Sequence, residues 1–286
     1  MPAALALLRP HQWVKNLLVF VALVASHRWG QADALAAALQ QFIAFCLVAS
    51  AVYAVNDVLD READAAHPGK RHRPVASGAL APAAALGLGA VLAVTGAAIA
   101  WPLGLDAFAA LCLYALLALA YCTVLKRLLW ADVLALAALY VLRVIAGAFA
   151  IVVVPSPWLL AFAGFLFGGL AALKRYGDLR QHEGGGLPGR AYTAADQAPL
   201  LAIGGACGVV AVLVLALYVN SPDVRVLYTR PHWIWLLCPL LLYWLARLWS
   251  VAARARLDAD PIVFALRDVA SWVVALASAG LIVLAL

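Results

Sequence analysis

Asp57, Asp60 and Asp64 lie in Asn56-Asp57-Val58-Leu59-Asp60-Arg61-Glu62-Ala63-Asp64, and together with Glu62 they draw four of the chain's 14 acids into one short segment. If a helix runs through it, the aspartates stand at i, i+3 and i+7, on one face. Carboxylates stacked in this way repel one another unless a cation lies among them. Hard oxygen ligands suit Mg²⁺, which keeps several waters and bridges one or two carboxylates to substrate phosphates. The plainer alternative is a solvated helix end with incidental acids. Such a concentration of scarce acids argues against it.

A turn-rich basic run follows directly, His67-Pro68-Gly69-Lys70-Arg71-His72-Arg73-Pro74. Any cytosolic loop of a membrane protein gathers positive charge. Beside the acids, however, Lys70 and Arg73 describe the second flank of a diphosphate site, with metal on one side and charged hydrogen bonds on the other. A comparable segment begins Lys174-Arg175-Tyr176-Gly177-Asp178 and continues through His182, Glu183 and three glycines to Arg190-Ala191-Tyr192. Asp178 is a candidate to hold a second metal, directly or through water, and Arg175, Arg190 and Tyr192 are candidates to touch phosphate or sugar. His182 reads as a solvated loop histidine. Arg143 lies deep in an apolar stretch, so it is expected to face the protein interior and to have an anionic partner. The chain's few lysines, Lys15, Lys70, Lys126 and Lys174, each fall at a helix end beside a candidate motif, with Asp132 across the turn from Lys126.

These residues must be positioned by elements that suit lipid. The 286 residues are 67% hydrophobic and 12% charged, with a mean hydropathy of +0.97, which no water-soluble domain of this size can bury. Nine stretches are predicted to cross as α-helices, at 12–29, 38–56, 83–101, 105–123, 132–152, 157–173, 199–219, 232–250 and 267–286. The fold class is therefore an all-α, polytopic membrane protein, one integral domain over 1–286. The N-terminal Met-Pro-Ala-Ala-Leu-Ala-Leu-Leu lacks the features of a cleaved signal peptide and is expected to remain in place. The five cysteines show no metal or redox spacing and read as small core residues.

With the N-terminus in the cytosol, all 20 Lys and Arg except Arg28, Arg225, Arg230 and the intramembrane Arg143 fall on the cytosolic side. The net charge of +6 thus describes a topology and gives no reason to invoke nucleic acid, although a basic face attracts phosphorylated ligands. Both long polar connections, 57–82 and 174–198, emerge there. They follow the second and sixth predicted spans, an offset that hints at internal duplication.

The Asn-Asp-x-x-Asp-x-x-x-Asp element after the second span, with an acidic loop after the sixth, resembles the UbiA superfamily of intramembrane prenyltransferases. Arg9-Pro10-His11-Gln12-Trp13-Val14-Lys15-Asn16, the segment Asn56 to Pro74, Lys126 with Asp132, and Lys174-Arg175-Tyr176 are most similar to its decaprenyl-phosphate phosphoribosyltransferase branch. The resemblance implies a UbiA-type bundle in the bacterial inner membrane, with Mg²⁺ at Asp57, Asp60 and Asp64 and an active site facing the cytosol. It also implies substrate contacts from Lys15, Asn16, Asn56, Lys70, Arg73, Lys126, Arg143, Lys174, Arg175, Tyr176, Asp178, Arg190 and Tyr192. The partners implied are phosphoribosyl pyrophosphate, a polyprenyl phosphate and membrane lipid. Prenyl-transferring members usually carry a second Asp-x-x-x-Asp, but four residues after Asp178 stands His182. That departure and the additional positive charge favour phosphoribosyl transfer over prenyl transfer from a diphosphate. A transporter is disfavoured, because its coupling acids would lie near the midplane.

Overall fold

The computed structural model describes residues 3–66, 69–182, 186–187, 189–257 and 260–286, so His67, Pro68, Glu183, Gly184 and Gly185 lie outside the described residues. The helices are α1 (Ala3–Leu8), α2 (Val21–Ala25), α3 (Ala32–Leu59), α4 (Arg61–Ala66), α5 (Pro82–Ala100), α6 (Leu105–Thr123), α7 (Ala131–Ala150), α8 (Pro157–Gln181), α9 (Gln197–Val219), α10 (Pro222–Leu227), α11 (Leu237–Ala253), α12 (Pro261–Arg267) and α13 (Val269–Ala285). Among the described residues there is no β-strand, only an isolated bridge between Gly186 and Thr193.

Among the described residues seven helical stretches, built on α3, α5 to α9 and α11, are long and apolar enough to cross a membrane; α12 and α13, bent by 87° at their junction, make an eighth if taken as one span. The ninth expected segment, 12–29, is not a single α-helix. It begins as a 3₁₀ helix, Pro10–Phe20, and ends in the short α2. At about 2.0 Å per residue a 3₁₀ coil is slimmer and longer than an α-helix, and the backbone here does run unusually close to α7. A Cβ on Gly147 would overlap the Val19 carbonyl group. Large apolar side chains remain outward-facing, among them Val94, Leu116, Leu134 and Leu276. That surface has lipid as its natural solvent.

The chain divides into two compact units, Met1–Leu125 with Leu142–Pro155, and Lys126–Val141 with Ser156–Leu286, so α7 contributes its first half to one and its second half to the other. In the first unit α3 packs along α5 through small residues: a Cβ on Gly89 would lie 3.2 Å from the Ala54 Cβ, and one on Gly96 would lie 2.9 Å from the Ala44 carbonyl oxygen. Below the acid-bearing end of α3, Leu7, Ala54, Val75 and Ala85 form a buried cluster that pins the loop after α4. In the second unit α8 packs along α9, where a Cβ on Gly169 would lie 3.0 Å from the Gly204 carbonyl oxygen, and α11 closes against both helices. Each unit thus contains a long helix that ends in an acidic motif and packs along the helix beyond the loop.

Candidate active site

α3 ends at Leu59, with Asp60 as its C-cap at φ −97. The winding almost continues into α4, because the Asp60 amide donates to the Asn56 carbonyl at 2.9 Å and the Asp64 amide to the Asp60 carbonyl at 2.8 Å. Asp57 and Asp64 are buried while Asp60 and Asn56 are half-exposed. The two buried carboxylates share Arg73, which donates to Asp64 and lies 3.5 Å from Asp57 Oδ1. Val75 anchors the loop that carries Arg73, whose amide closes a turn on the Lys70 carbonyl; the Lys70 side chain is exposed.

Arg9 adds a second guanidinium to Asp57 Oδ1. Its backbone is left-handed, at φ 51, immediately before Pro10, and its guanidinium stacks 4.9 Å above the Tyr53 ring. Burial holds Arg9 below its usual pKa; Asp57 pulls the other way, and Arg73 adds to the lowering. Asp57 Oδ2 is buried and has no hydrogen-bond partner. An uncompensated carboxylate oxygen is costly to bury, and a hard cation is the group that would satisfy it. Among the described residues no three His, Cys, Asp or Glu side chains converge into a metal site. A metal here would thus draw on one or two carboxylates and complete its shell with water and phosphate oxygens, the habit of Mg²⁺. The break at Asp60 is the physical reason that three evenly stacked aspartates do not form.

The 3₁₀ segment locks onto α3. Trp13 donates to Ser50 Oγ at 3.1 Å, and Ser50 Oγ donates to the Leu8 carbonyl at 2.8 Å. Lys15 and Asn16 are both buried. Asn16 Nδ2 donates to Cys46 Sγ at 3.3 Å, and its Oδ1 accepts from Arg143 Nε at 2.8 Å. Arg143 also donates to the Tyr114 hydroxyl at 2.9 Å and stacks over that ring. Both of these acceptors are neutral. Arg143 therefore acts here as a cross-brace between the 3₁₀ segment, α6 and α7.

In the second unit Asp132 is fully buried at the start of α7 and accepts from Arg175 Nε, from Arg175 Nη2 at 3.2 Å and from Arg190 Nη1 at 2.9 Å. Arg175 Nη1 also reaches Asp178 at 2.6 Å, leaving that carboxylate 39% exposed. The Tyr192 hydroxyl accepts from the Trp130 amide at 3.3 Å; burial first, and Asp132 second, push its pKa up to about 12, so it stays a neutral phenol. Tyr176 is buried edge-on against Trp249, and Lys126 is half-buried in the turn before α7. Lys174 pairs with Asp260 at 3.0 Å, and Tyr140 donates to the same carboxylate at 3.1 Å. The sequence reading did not place Arg9, Asp132 or Asp260 among the site residues. Arg9 and Asp132 lie within quoted motifs, and Asp260 precedes Pro261 as a helix cap.

The UbiA prenyltransferase family profile matches residues 17–284. The chain belongs to this family. It is 35% identical to the uncharacterized protein y4nM of Sinorhizobium fredii over 98% of this chain, and 34% identical to the nodulation protein NoeC of Azorhizobium caulinodans over 93% of this chain and 87% of that protein. A decaprenyl-phosphate phosphoribosyltransferase of Mycolicibacterium smegmatis is 38% identical over 61% of this chain and 56% of its own length. The chain spans little more than half the length of the Sinorhizobium and Mycolicibacterium relatives. In structure it is similar to a UbiA homolog from Archaeoglobus fulgidus bound to GPP and Mg²⁺, with TM-score 0.75, 17% identity and coverage of 98% of this chain and 99% of that one. The UbiA fold and the apolar helices make this a multi-pass membrane protein.

Proposed function

We propose that this UbiA-family protein transfers 5-phosphoribose from phosphoribosyl pyrophosphate to a polyprenyl phosphate, with Mg²⁺, at the cytosolic face of a bacterial inner membrane. The observation that carries the reading is the second cluster: Asp132 is engaged by two arginines, and among the described residues Asp178 is the partly exposed acid beside them. That arrangement suits phosphate and sugar better than a second pair of metal carboxylates. The 38% identity to decaprenyl-phosphate phosphoribosyltransferases supports the same choice. The distribution of Lys and Arg supports the orientation.

Asp57 and Asp64 would hold Mg²⁺, which when bound supplies positive charge to the pyrophosphate leaving group. Arg73, with Lys70 close in sequence, takes up charge as the bond from C1 to the diphosphate oxygen breaks, while Arg9 remains on Asp57. The polyprenyl phosphate is already anionic near neutral pH, so its oxygen attacks C1 of an oxocarbenium-like ribose without a dedicated base. The protein's further contribution is to orient the donor and exclude water, which would otherwise hydrolyse it. Asn16 and Arg143 contribute to the frame of the cluster in the first unit, and Lys15 and Asn56 to its rim; Lys126, Lys174 and Tyr176 belong with the Asp132 cluster of the second unit.

The family match itself favours a second reading, transfer of a prenyl group from its diphosphate to an aromatic or lipid acceptor. Purified protein incubated with Mg²⁺, labelled phosphoribosyl pyrophosphate and a polyprenyl phosphate should place label in the organic phase. No label there, together with prenyl transfer from a prenyl diphosphate, would replace the first reading by the second.

A further inference from the structure

Asp57 uses its two oxygens unequally. Oδ1 faces both Arg9 and Arg73, while Oδ2 is buried without a hydrogen bond. Arg73 also grips Asp64, so one guanidinium neutralises two carboxylates whose side chains are only 1% and 4% exposed. The two arginines are anchored differently. Arg9 is 15% exposed, stacked on Tyr53 and fixed by a left-handed backbone at the head of the 3₁₀ segment. Arg73 is 25% exposed, on a turn rather than a helix.

A divalent cation drawing on Asp57, through its unused Oδ2, and on Asp64 would be held by the same two carboxylates as Arg73. Like charges at one carboxylate repel, so one must yield. Arg73 is the group with an exit to solvent, and the incoming diphosphate offers it a bidentate partner in exchange. We infer that Arg73 is an exchangeable counter-ion: it neutralises Asp57 and Asp64 in the unliganded protein and passes to the diphosphate when metal and diphosphate bind, while Arg9 stays on Asp57. This rests on the reading above, that the pair takes a divalent cation together with a diphosphate. Its consequence is thermodynamic. Metal alone must strand Arg73, but metal with diphosphate need not, so each ligand raises the other's affinity by the same factor.

The test uses the full chain in nanodiscs, with Mn²⁺ as probe, read by the loss of the free-ion electron paramagnetic resonance signal. Inorganic pyrophosphate stands for the leaving group, and the soluble Mn²⁺–pyrophosphate complex is subtracted. In the wild type, pyrophosphate should tighten Mn²⁺ binding by roughly 5–150-fold, the usual range of coupling. Arg73→Gln should bind Mn²⁺ alone about tenfold more tightly, as a competing charged hydrogen bond is removed, and should lose most of the coupling. Arg9→Gln should retain the coupling. Should Arg73→Gln not fold, Arg73→Lys carries the test, since a lysine cannot grip both carboxylates in one plane and should show reduced coupling. If Asp57→Asn abolishes Mn²⁺ binding but the Arg73 variants change neither affinity nor coupling, the exchange is wrong and the metal reading stands. If Mn²⁺ does not bind the wild type even with pyrophosphate, or binds Asp57→Asn equally well, the metal reading falls and takes the exchange with it.

Discussion

Arg175 embraces Asp132 with two nitrogens, and neither side chain reaches the surface, at 1% and 0% exposure. An ion pair buried this fully contributes little net stability, but removing one partner strands the other's charge. Asp132→Ala is therefore predicted to destabilise the protein by about 3–5 kcal/mol, seen as a lowered melting temperature in detergent. A melting temperature within a degree or so of wild type would show that Arg175 finds solvent or another acid.

Asp57→Asn should spare the fold more, because Arg9 and Arg73 are 15% and 25% exposed and keep access to water, and should remove the chemistry. Turnover is predicted to fall at least about 100-fold, the scale on which a principal electrostatic stabiliser acts. Near-normal turnover in a correctly folded variant would remove Asp57 from the metal site.

Arg143 separates a brace from a ligand contact. Arg143→Leu leaves Asn16 Oδ1 and the Tyr114 hydroxyl without the donor found here, and each stranded buried group costs about 1–3 kcal/mol. The variant should melt early while its surviving fraction keeps the wild-type KM for the donor. An unchanged melting curve with a raised KM would return Arg143 to the substrate.

The approach of α7 to the 3₁₀ segment gives a purely steric prediction. A Cβ on Gly147 would sit 2.7 Å from the Val19 carbonyl carbon, whereas one on Gly30 meets nothing within 4 Å. Gly147→Ala should destabilise by about 1–3 kcal/mol or more, as overpacking does, and Gly30→Ala should be near neutral. Equal melting temperatures would mean that the two backbones part easily.

The acidic segment after α3 was legible because carboxylates are scarce in a chain built for lipid, so their clustering stands out. Its helical spacing was legible too, but the break at Asp60 depends on tertiary packing and has no Pro or Gly to announce it. Arg9 could be read as part of a motif but not as a partner of Asp57, because 48 residues separate them. Asp260 was hidden by its ordinary role as the cap of α12, and nothing local to it points to Lys174. Hydropathy located the segment 12–29 as apolar, but an average over a window carries no period, so it cannot tell a 3₁₀ coil from an α-helix.

The brace between Asn16 and Arg143 spans 127 residues of chain. At about 5–20 residues per second of synthesis, Asn16 waits roughly 6–25 s before the ribosome supplies the arginine that it will accept from. Through that interval the first segment is already made, with the Asn16 amide oxygen still lacking the donor it has in the folded protein. A nascent chain arrested before residue 143 should therefore hold its N-terminal segment loosely, open to alkaline extraction, and the released full chain should hold it firmly.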